Sequence, residues 1–369
     1  MDLKIIYILL IVFLKSCETK TDNIAEKTIS REIIHDRLIT QTQKKLLTPQ
    51  IDSVFSKYQF NGSVAVLKED EILYRKEQGF EDFAQKKKLD RNSVFAIASL
   101  SKQFTAVLIL LNEEENKLSI EDQVSKYLPL FQTKQLENIT IKQLLKHSSG
   151  ISDSGNGLLS KPGEKFHYSN KGYRFLGEII EKVSGKSYDE NVNDLFQKAG
   201  IKNSFTANLF KGIHFAGAYI GNSKNYQQVS NMPKRLAAKE ISIPAGGILS
   251  TVSDLHRWNK KLYGAEILDQ KSLKKFLEKS SESTHPVFGK MNYGLGIMMG
   301  ENSPQCYFHS GYVKGAPSLM VYYPKTKTSL IILSNIAEET KGKNAIFNPH
   351  KDIKQITDAV QNLIIERED

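Results

Sequence analysis

Three short clusters carry side chains that together could run acyl transfer through a serine. Ser99-Leu100-Ser101-Lys102 sets a hydroxyl and an amine three residues apart, and at a helix start such residues share a face. A helix N-terminus favours negative charge developing on Ser99 and opposes protonation of Lys102. Both effects suit a serine nucleophile with an amine neighbour. Tyr168-Ser169-Asn170 is the only Tyr-x-Asn in the chain; its phenol can shuttle a proton if neighbouring cations lower its pKa from about 10. His309-Ser310-Gly311, followed by Tyr312, is the only [His/Lys]-[Ser/Thr]-Gly triplet. It joins an imidazole and a hydroxyl to a glycine that admits close backbone approach. Each cluster alone has a plainer explanation: a helix-face coincidence, a core tyrosine with an Asn cap, a turn with an exposed histidine. A second Ser-x-x-Lys, Ser272-Leu273-Lys274-Lys275, lies in a charged, surface-type helix, whereas Ser99 has apolar residues on both sides.

These clusters need a frame. The strand-like Val94–Ala98 leads into a helical run, Ser101–Asn112, with Phe104, Val107, Leu108 and Leu111 at helical spacing. Gly172-Tyr173 begins another helix directly after Asn170. Gly62–Leu67 and Glu71–Glu77 flank the polar turn Lys68-Glu69-Asp70 as a hairpin. Strand character returns in Ser318–Tyr323 and Ser329–Ser334, around Pro324–Lys327, and a last helix covers about Asp352–Glu366. A short amphipathic helix is expected to start behind Pro49. Helical patterns fill the chain from Ser101 to about Leu277, broken by Gly/Ser/Asn loops near 150–157 and 221–231. Strands at both ends with helices between predict a sheet whose edges meet, carrying a helical insertion.

In this order the three clusters resemble the Ser-x-x-Lys, Tyr-x-Asn and Lys/His-Thr/Ser-Gly set of the penicillin-binding, class C β-lactamase-like serine hydrolases. Thr140–Ile151, Pro162–Tyr173, Pro244-Ala245-Gly246-Gly247, Tyr293-Gly294-Leu295-Gly296 and His309–Asn335 fit the same superfamily, which covers roughly residues 48 to 335. The resemblance implies an α/β (α+β) fold: an antiparallel sheet flanked by helices, an all-helical lobe, and the site in the cleft between them. It implies that Ser99 attacks a carbonyl and forms an acyl-enzyme, while Lys102 and Tyr168 move the proton. The backbone N–H groups of Ser99 and Tyr312 would form the oxyanion hole, Asn170 would orient substrate and the Lys102 amine, and His309, Ser310 and Gly311 would line the substrate site. The departure lies at the third station. Class C β-lactamases carry a lysine where this chain has His309, and histidine is only partly charged near neutral pH. Some DD-peptidases and esterases share that histidine, so D-amino-acid peptides or similar small amides are the expected substrates, with a carboxylesterase as the alternative. Class C-type β-lactam hydrolysis and a silent binding lipoprotein rank below these.

Other chemistries find little support. Gly185-Lys186-Ser187 lacks the earlier glycine of a phosphate loop, and Gly294-Leu295-Gly296 precedes Gly300 by one residue too many for a dinucleotide fingerprint. Eight histidines and two cysteines show no metal-ligand spacing, so neither a cofactor nor a metal is expected. The net charge of +10 comes from scattered basic pairs and one triplet, Lys86-Lys87-Lys88, which does not make a nucleic-acid groove.

The first residues read as an address. Ile5–Leu14 is an apolar run behind Lys4, too short to cross a bilayer as a helix and suited to a secretory leader. Its ending, Leu14-Lys15-Ser16-Cys17, resembles the lipobox of bacterial lipoproteins, which implies lipidation at Cys17 and attachment to a membrane of the cell envelope. Lys15 departs from the small or aliphatic residue usual there. The expected organisation is a lipoprotein signal peptide over 1–17, a polar tether over 18–47 with one weak helical stretch around Ile33–Leu47, and a hydrolase domain over 48–369. Within that domain the sheet part covers about 48–98 and 285–369, and the helical lobe about 99–284. The expected partners are a small acyl or peptide substrate, peptidoglycan-derived peptides among them, and a membrane through the anchor.

Overall fold

The computed structural model describes residues 34–368 except 156, 213, 231, 233–235, 237–241 and 343, with 367 and 368 described by backbone alone. The expected leader, Cys17 and residues 18–33 of the expected tether lie outside the described residues.

Eight strands make the main sheet: β1 (Gly62–Lys68), β2 (Glu71–Gln78), β3 (Ser281–His285), β4 (Gly289–Tyr293), β5 (Met298–Gly300), β6 (Tyr307–Val313), β7 (Ala316–Tyr323) and β8 (Thr328–Ser334). Their order is β3-β4-β5-β6-β7-β8-β1-β2, and each neighbouring pair is antiparallel. β1 lies against β8 from Gly62 opposite Ser334 to Lys68 opposite Thr328, so strands from the two ends of the sequence close one sheet. Everything between β2 and β3 is inserted into that sheet.

β7 and β8 are buried along their whole length, and the two-residue period of a strand sorts their side chains onto two cores. Val64, Val66, Leu330 and Ile332 face one core, shared with Leu47, Ile51 and Phe55 of the first helix and Ile353 and Val360 of the last helix, Asn348–Glu368. Ala65, Leu67, Ile331 and Leu333 face the other, with Phe104, Val107 and Trp258 from the helical insertion. Each fully buried Val, Leu or Ile contributes roughly 1.5–3 kcal/mol, so the sheet is clamped from both sides. On the insertion side, Asn259 Nδ2 donates to Ser329 Oγ of β8 (3.2 Å), which fastens the Val252–Tyr263 helix to the sheet.

Three sequence expectations change. The first helix does not begin at Pro49 but runs through it, over residues 34–58. Ile39, Gln43, Leu47, Ile51 and Phe55 are buried at four-residue steps. That stripe holds the helix across a proline that removes one intrahelical hydrogen bond. Residues 34–47, the weak helical stretch of the expected tether, are thus helix as read but packed on the domain. Second, β3, β4, β5 and β6 precede the strands read from the sequence, and the His309-Ser310-Gly311 cluster lies inside β6. β3 is Ser-Glu-Ser-Thr-His, alternating between half-buried and exposed at the sheet edge, and it carries no apolar pattern to announce it. Third, short strands interleave the helices of the insertion: Phe205–Thr206 and Phe95–Ala96 pair with Ile248–Ser250. Among the described residues no helix is long and apolar enough to cross a membrane.

Candidate active site

The nucleophile candidate sits on a tight turn. Phe95–Ala96 ends against Ile248–Ser250, a 3-10 turn spans Ala98–Leu100, and the Ser101–Glu114 helix follows at once. Ala98 takes a left-handed conformation (φ 48°) although it has a Cβ, which costs about 1–2 kcal/mol. Ser99 follows that strained residue, at the mouth of a helix whose first three turns are buried. β6 approaches this turn closely. A Cβ on Gly311 would stand 2.4 Å from the Ile97 carbonyl oxygen and 3.0 Å from the Ser99 nitrogen. Only glycine lets the third cluster lie against the first. Ser318 of β7 secures the approach by donating to the Ile97 carbonyl (2.8 Å).

Lys102 is fully buried. Its Nζ lies 3.2 Å from Ser99 Oγ, 2.8 Å from Asn170 Oδ1 and 2.7 Å from the Ala245 carbonyl oxygen. Burial lowers its pKa to about 7, with the negative charge of Asp153 pulling the other way. A neutral amine has two N–H donors and one lone pair. The two carbonyl-type oxygens can accept only N–H bonds, so the lone pair is left for the Ser99 hydroxyl. Helix-start electrostatics, the cause expected from sequence, is secondary to burial here.

Tyr168 packs its ring 4.8 Å from Lys102 Nζ and hydrogen-bonds Ser99. The residue keeps 37 % of its surface open, so a substrate can reach it. The condition set on its phenol, a pKa lowered by neighbouring cations, is not met; burial raises it, with the Ser99 hydrogen bond opposing. That push comes from the dense protein around the hydroxyl rather than from closure of the whole residue to solvent. At neutral pH Tyr168 is therefore a phenol.

Asn170 opens the Asn170–Ser184 helix, with Ser169 as N-cap accepting from the Gly172 N–H (3.0 Å). Asp153, which the sequence did not single out, fixes its amide. Asp153 Oδ2 accepts from Asn170 N (3.0 Å) and Asn170 Nδ2 (3.2 Å), and Oδ1 accepts from Ser169 Oγ (2.8 Å) and Lys171 N (2.9 Å). With its NH2 held by Asp153, Asn170 can only present Oδ1 to Lys102. Asp153 lies in a Gly/Ser loop with no pattern of its own, so its signal was its place between two motifs and nothing more.

The third cluster departs from expectation. His309 is fully buried and its pKa falls to about 3, chiefly through burial and then the nearby Lys102 charge. It is neither an exposed turn histidine nor a partly charged one: at neutral pH it carries no charge. Ser310 accepts from His285 Nε2 (2.9 Å), because His285 Nδ1 already accepts from the Val287 and Phe288 N–H groups (3.1 and 3.2 Å). Burial lowers the His285 pKa to about 4. Tyr312 turns its hydroxyl away from Ser99 to donate to Glu339 and accept from Gly315 N (3.3 Å). Its side chain is thus engaged outside the cluster.

His147 and Tyr293, residues of two superfamily stretches with no role read from them, are part of the same assembly. The His147 ring packs 4.3 Å from the Tyr168 ring, and Tyr293 bonds both His147 and His309. Gly296, in the left-handed region (φ 79°), lets the Tyr293–Gly296 turn touch the Lys102 helix; a Cβ there would meet the Lys102 carbonyl oxygen at 2.9 Å. Among the described residues one group could offer three metal ligands, Glu81, Asp90 and His214. Glu81 is already ion-paired with Lys87 (2.5 Å) and accepts from Ser93 Oγ (2.6 Å), and the group belongs to a different part of the fold.

An antiparallel sheet closed by both chain ends, a helical insertion, and a serine, buried lysine and tyrosine brought together at their junction define a serine hydrolase of the β-lactamase and penicillin-binding type. The comparisons agree. The Beta-lactamase family model matches residues 36–348, and the chain belongs to that family. Penicillin-binding protein 4* of Bacillus subtilis is 30% identical over 347 residues, covering 83% of this chain and 75% of that protein. Among solved structures, EstCE1, described as a hydrolase with promiscuous acyltransferase activity, superposes with a TM-score of 0.72 at 19% identity, over 85% of this chain and 98% of that one. The D-amino acid amidase of Ochrobactrum anthropi SV3 superposes with a TM-score of 0.70 at 20% identity, over 89% and 100%. The two structures share the fold with this protein.

Proposed function

We propose that the protein hydrolyses small acyl amides or esters through an acyl-enzyme at Ser99. The observation that carries this reading is the buried, low-pKa Lys102 amine 3.2 Å from the Ser99 hydroxyl. Ser99 Oγ attacks the substrate carbonyl carbon while its proton passes to the Lys102 lone pair. The carbonyl oxygen becomes an oxyanion, held by the Ser99 and Tyr312 backbone N–H groups; one such donor typically contributes ~3–4 kcal/mol. The Lys102 proton then reaches the leaving nitrogen or oxygen through the neutral Tyr168 phenol, and the carbon–leaving-group bond breaks. Water repeats the sequence on the acyl-enzyme and regenerates Ser99.

D-amino-acid peptides or amides are the leading substrate class, in keeping with the penicillin-binding relative and the amidase-like fold. A carboxylesterase is the second reading, and it has a specific observation in its favour. His309 is buried and neutral, so the third station offers a substrate carboxylate no cation. We further propose export and lipid attachment at Cys17, from the leader-like first residues, with peptidoglycan-derived peptides as the substrate pool at the envelope. Mass spectrometry of the purified N-terminal peptide for a diacylglycerol-modified Cys17 tests the anchor.

A fluorophosphonate probe and a fluorescent penicillin, applied to wild type and Ser99→Ala, test the nucleophile. Wild type should label and Ser99→Ala should not; equal labelling of the two, or none of either, sinks the assignment. Release of D-alanine from D-Ala-D-Ala peptides, set against turnover of p-nitrophenyl esters, separates the two substrate readings.

A further inference from the structure

We propose that His147 and Tyr293 are positioning residues, joined with His309 in one proton-ordered hydrogen-bond chain that ties the Tyr168 loop to β6. The inference rests on the acyl-enzyme reading only for its kinetic consequence. The chain itself follows from counting donors and acceptors. Ser169 N can only donate, and it reaches His147 Nδ1 at 3.1 Å. His147 Nδ1 is therefore unprotonated, and a neutral imidazole then carries its proton on Nε2. His147 Nε2 donates to Tyr293 Oη at 3.2 Å. Tyr293 Oη has one proton, and it lies 3.1 Å from His309 Nε2. At the far end His309 Nδ1 lies 2.6 Å from the Ser310 carbonyl oxygen, which can only accept, so Nδ1 carries the proton and Nε2 accepts from Tyr293. Tyr173 Oη, which donates to the Leu145 carbonyl (2.8 Å), is a further neighbour of Tyr293, but a Tyr293 proton turned to it would set two lone pairs against each other at His309 Nε2. The two histidines are held in opposite neutral tautomers, one at each end of a tyrosine.

All three residues are buried, and among the described residues neither imidazole is bonded to a carboxylate. The titratable groups that face them are Lys102, His285, Tyr168 and Tyr173. The Lys102 charge lowers both His147 and His309, His309 adds to the effect on His147, and His285 adds to the effect on His309. Protonating His147 would aim a new N–H at the Ser169 N–H. Protonating His309 would aim a new N–H at the Tyr293 hydroxyl and turn the Tyr293 proton off His309 toward Tyr173. The chain therefore resists charging at either end.

Its mechanical role lies in what it joins. His147 Nδ1 holds the backbone of the residue after Tyr168, and the His147 ring stacks on the Tyr168 ring at 4.3 Å. His309 sits in β6 two residues before Gly311, where a Cβ would stand 3.0 Å from the Ser99 nitrogen. Tyr293 thus sets the distance between the proton-carrying phenol and the strand that supplies the oxyanion hole. His147 itself is in a left-handed conformation (φ 58°), a strain of about 1–2 kcal/mol that the chain helps to hold in place.

The first test reads the chain without any substrate. Nitrogen-15 NMR of histidine-labelled wild-type protein, assigned with His147→Gln and His309→Gln, should show His147 protonated only on Nε2 and His309 only on Nδ1, unchanged from pH 5.5 to 8. The opposite tautomer on either ring, or an imidazolium forming in that range, overturns the proposal whatever the enzyme hydrolyses. The second test uses Tyr293→Phe, which removes one oxygen. With active sites counted by fluorophosphonate, kcat per labelled site should fall ~10–100-fold, the scale of a misplacement of about 1 Å, while KM changes less than about threefold. A merely structural tyrosine would lower the Tm and the labelled fraction but leave kcat per site within twofold of wild type, and that result overturns the positioning role. If Tyr293→Phe does not fold, the tautomers of the wild-type protein still decide the question.

Discussion

Lys102→Met offers a sharp test, because it should destroy activity and raise stability at once. Methionine has nearly the length of lysine and no charge. The buried amine of Lys102 has its pKa lowered from 10.5 to about 7. At 1.36 kcal/mol per unit, holding that amine in the folded protein costs about 5 kcal/mol at pH 7 and below. The sign follows from proton binding. Between pH 7 and 10.5 the unfolded chain holds a proton that the folded chain has lost, so stability rises with pH through this window. Above 10.5 the penalty is gone, and below 7 it is fully present. Methionine removes it but leaves the Ala245 carbonyl and Asn170 Oδ1 without their donor, at about 1–3 kcal/mol for the buried carbonyl and less for the amide. Lys102→Met should therefore gain roughly 1–3 kcal/mol at pH 7. The gain should shrink by about 2 kcal/mol between pH 7 and 9. Urea denaturation of both proteins at pH 6, 7, 8 and 9 measures it, beside acylation by the fluorophosphonate, which should be lost. A pH-independent difference, or a variant less stable than wild type at pH 7, would refute the assignment of Lys102 as a desolvated, near-neutral amine.

The remaining expectations bear on the same junction. In wild type, kcat/KM should rise tenfold per pH unit below an acid limb near pH 7 as Lys102 loses its proton, measured with an ester whose own rate is pH-independent; a limb near 4 would point to another base. Asp153→Asn removes the charge that raises the Lys102 pKa, so the limb should move to lower pH. Its plateau should fall because Asn170 loses its hold, and a limb moving upward would contradict the electrostatic argument. Gly311→Ala puts a Cβ 2.4 Å from the Ile97 carbonyl oxygen and 2.5 Å from Ser318 Oγ. It should cut acylation at least ~100-fold by forcing β6 off the Ser99 turn, read as probe labelling rate in protein whose circular dichroism is unchanged.

The sequence by itself determined the candidate site residues and much of the frame. Ser99, Lys102, Tyr168, Asn170 and His309-Ser310-Gly311 were legible because each sits in a short motif whose residue types and order are informative. The β1–β2 and β7–β8 hairpins were legible because apolar runs flank polar turns. What only the tertiary structure decided are the charge states and the partners. Desolvation depends on how many protein atoms surround a group, and that is set by residues far away in the chain. It lowers Lys102, raises Tyr168, against the reading from local cations, and keeps His309 neutral where the motif left it partly charged. Asp153, His147 and Tyr293 gained their roles in the same way, through bonds spanning 16 to 146 residues of sequence. Pro49 shows the converse. A local helix-start signal gave way to a buried stripe on both sides of it, because packing against the sheet outweighs one missing hydrogen bond.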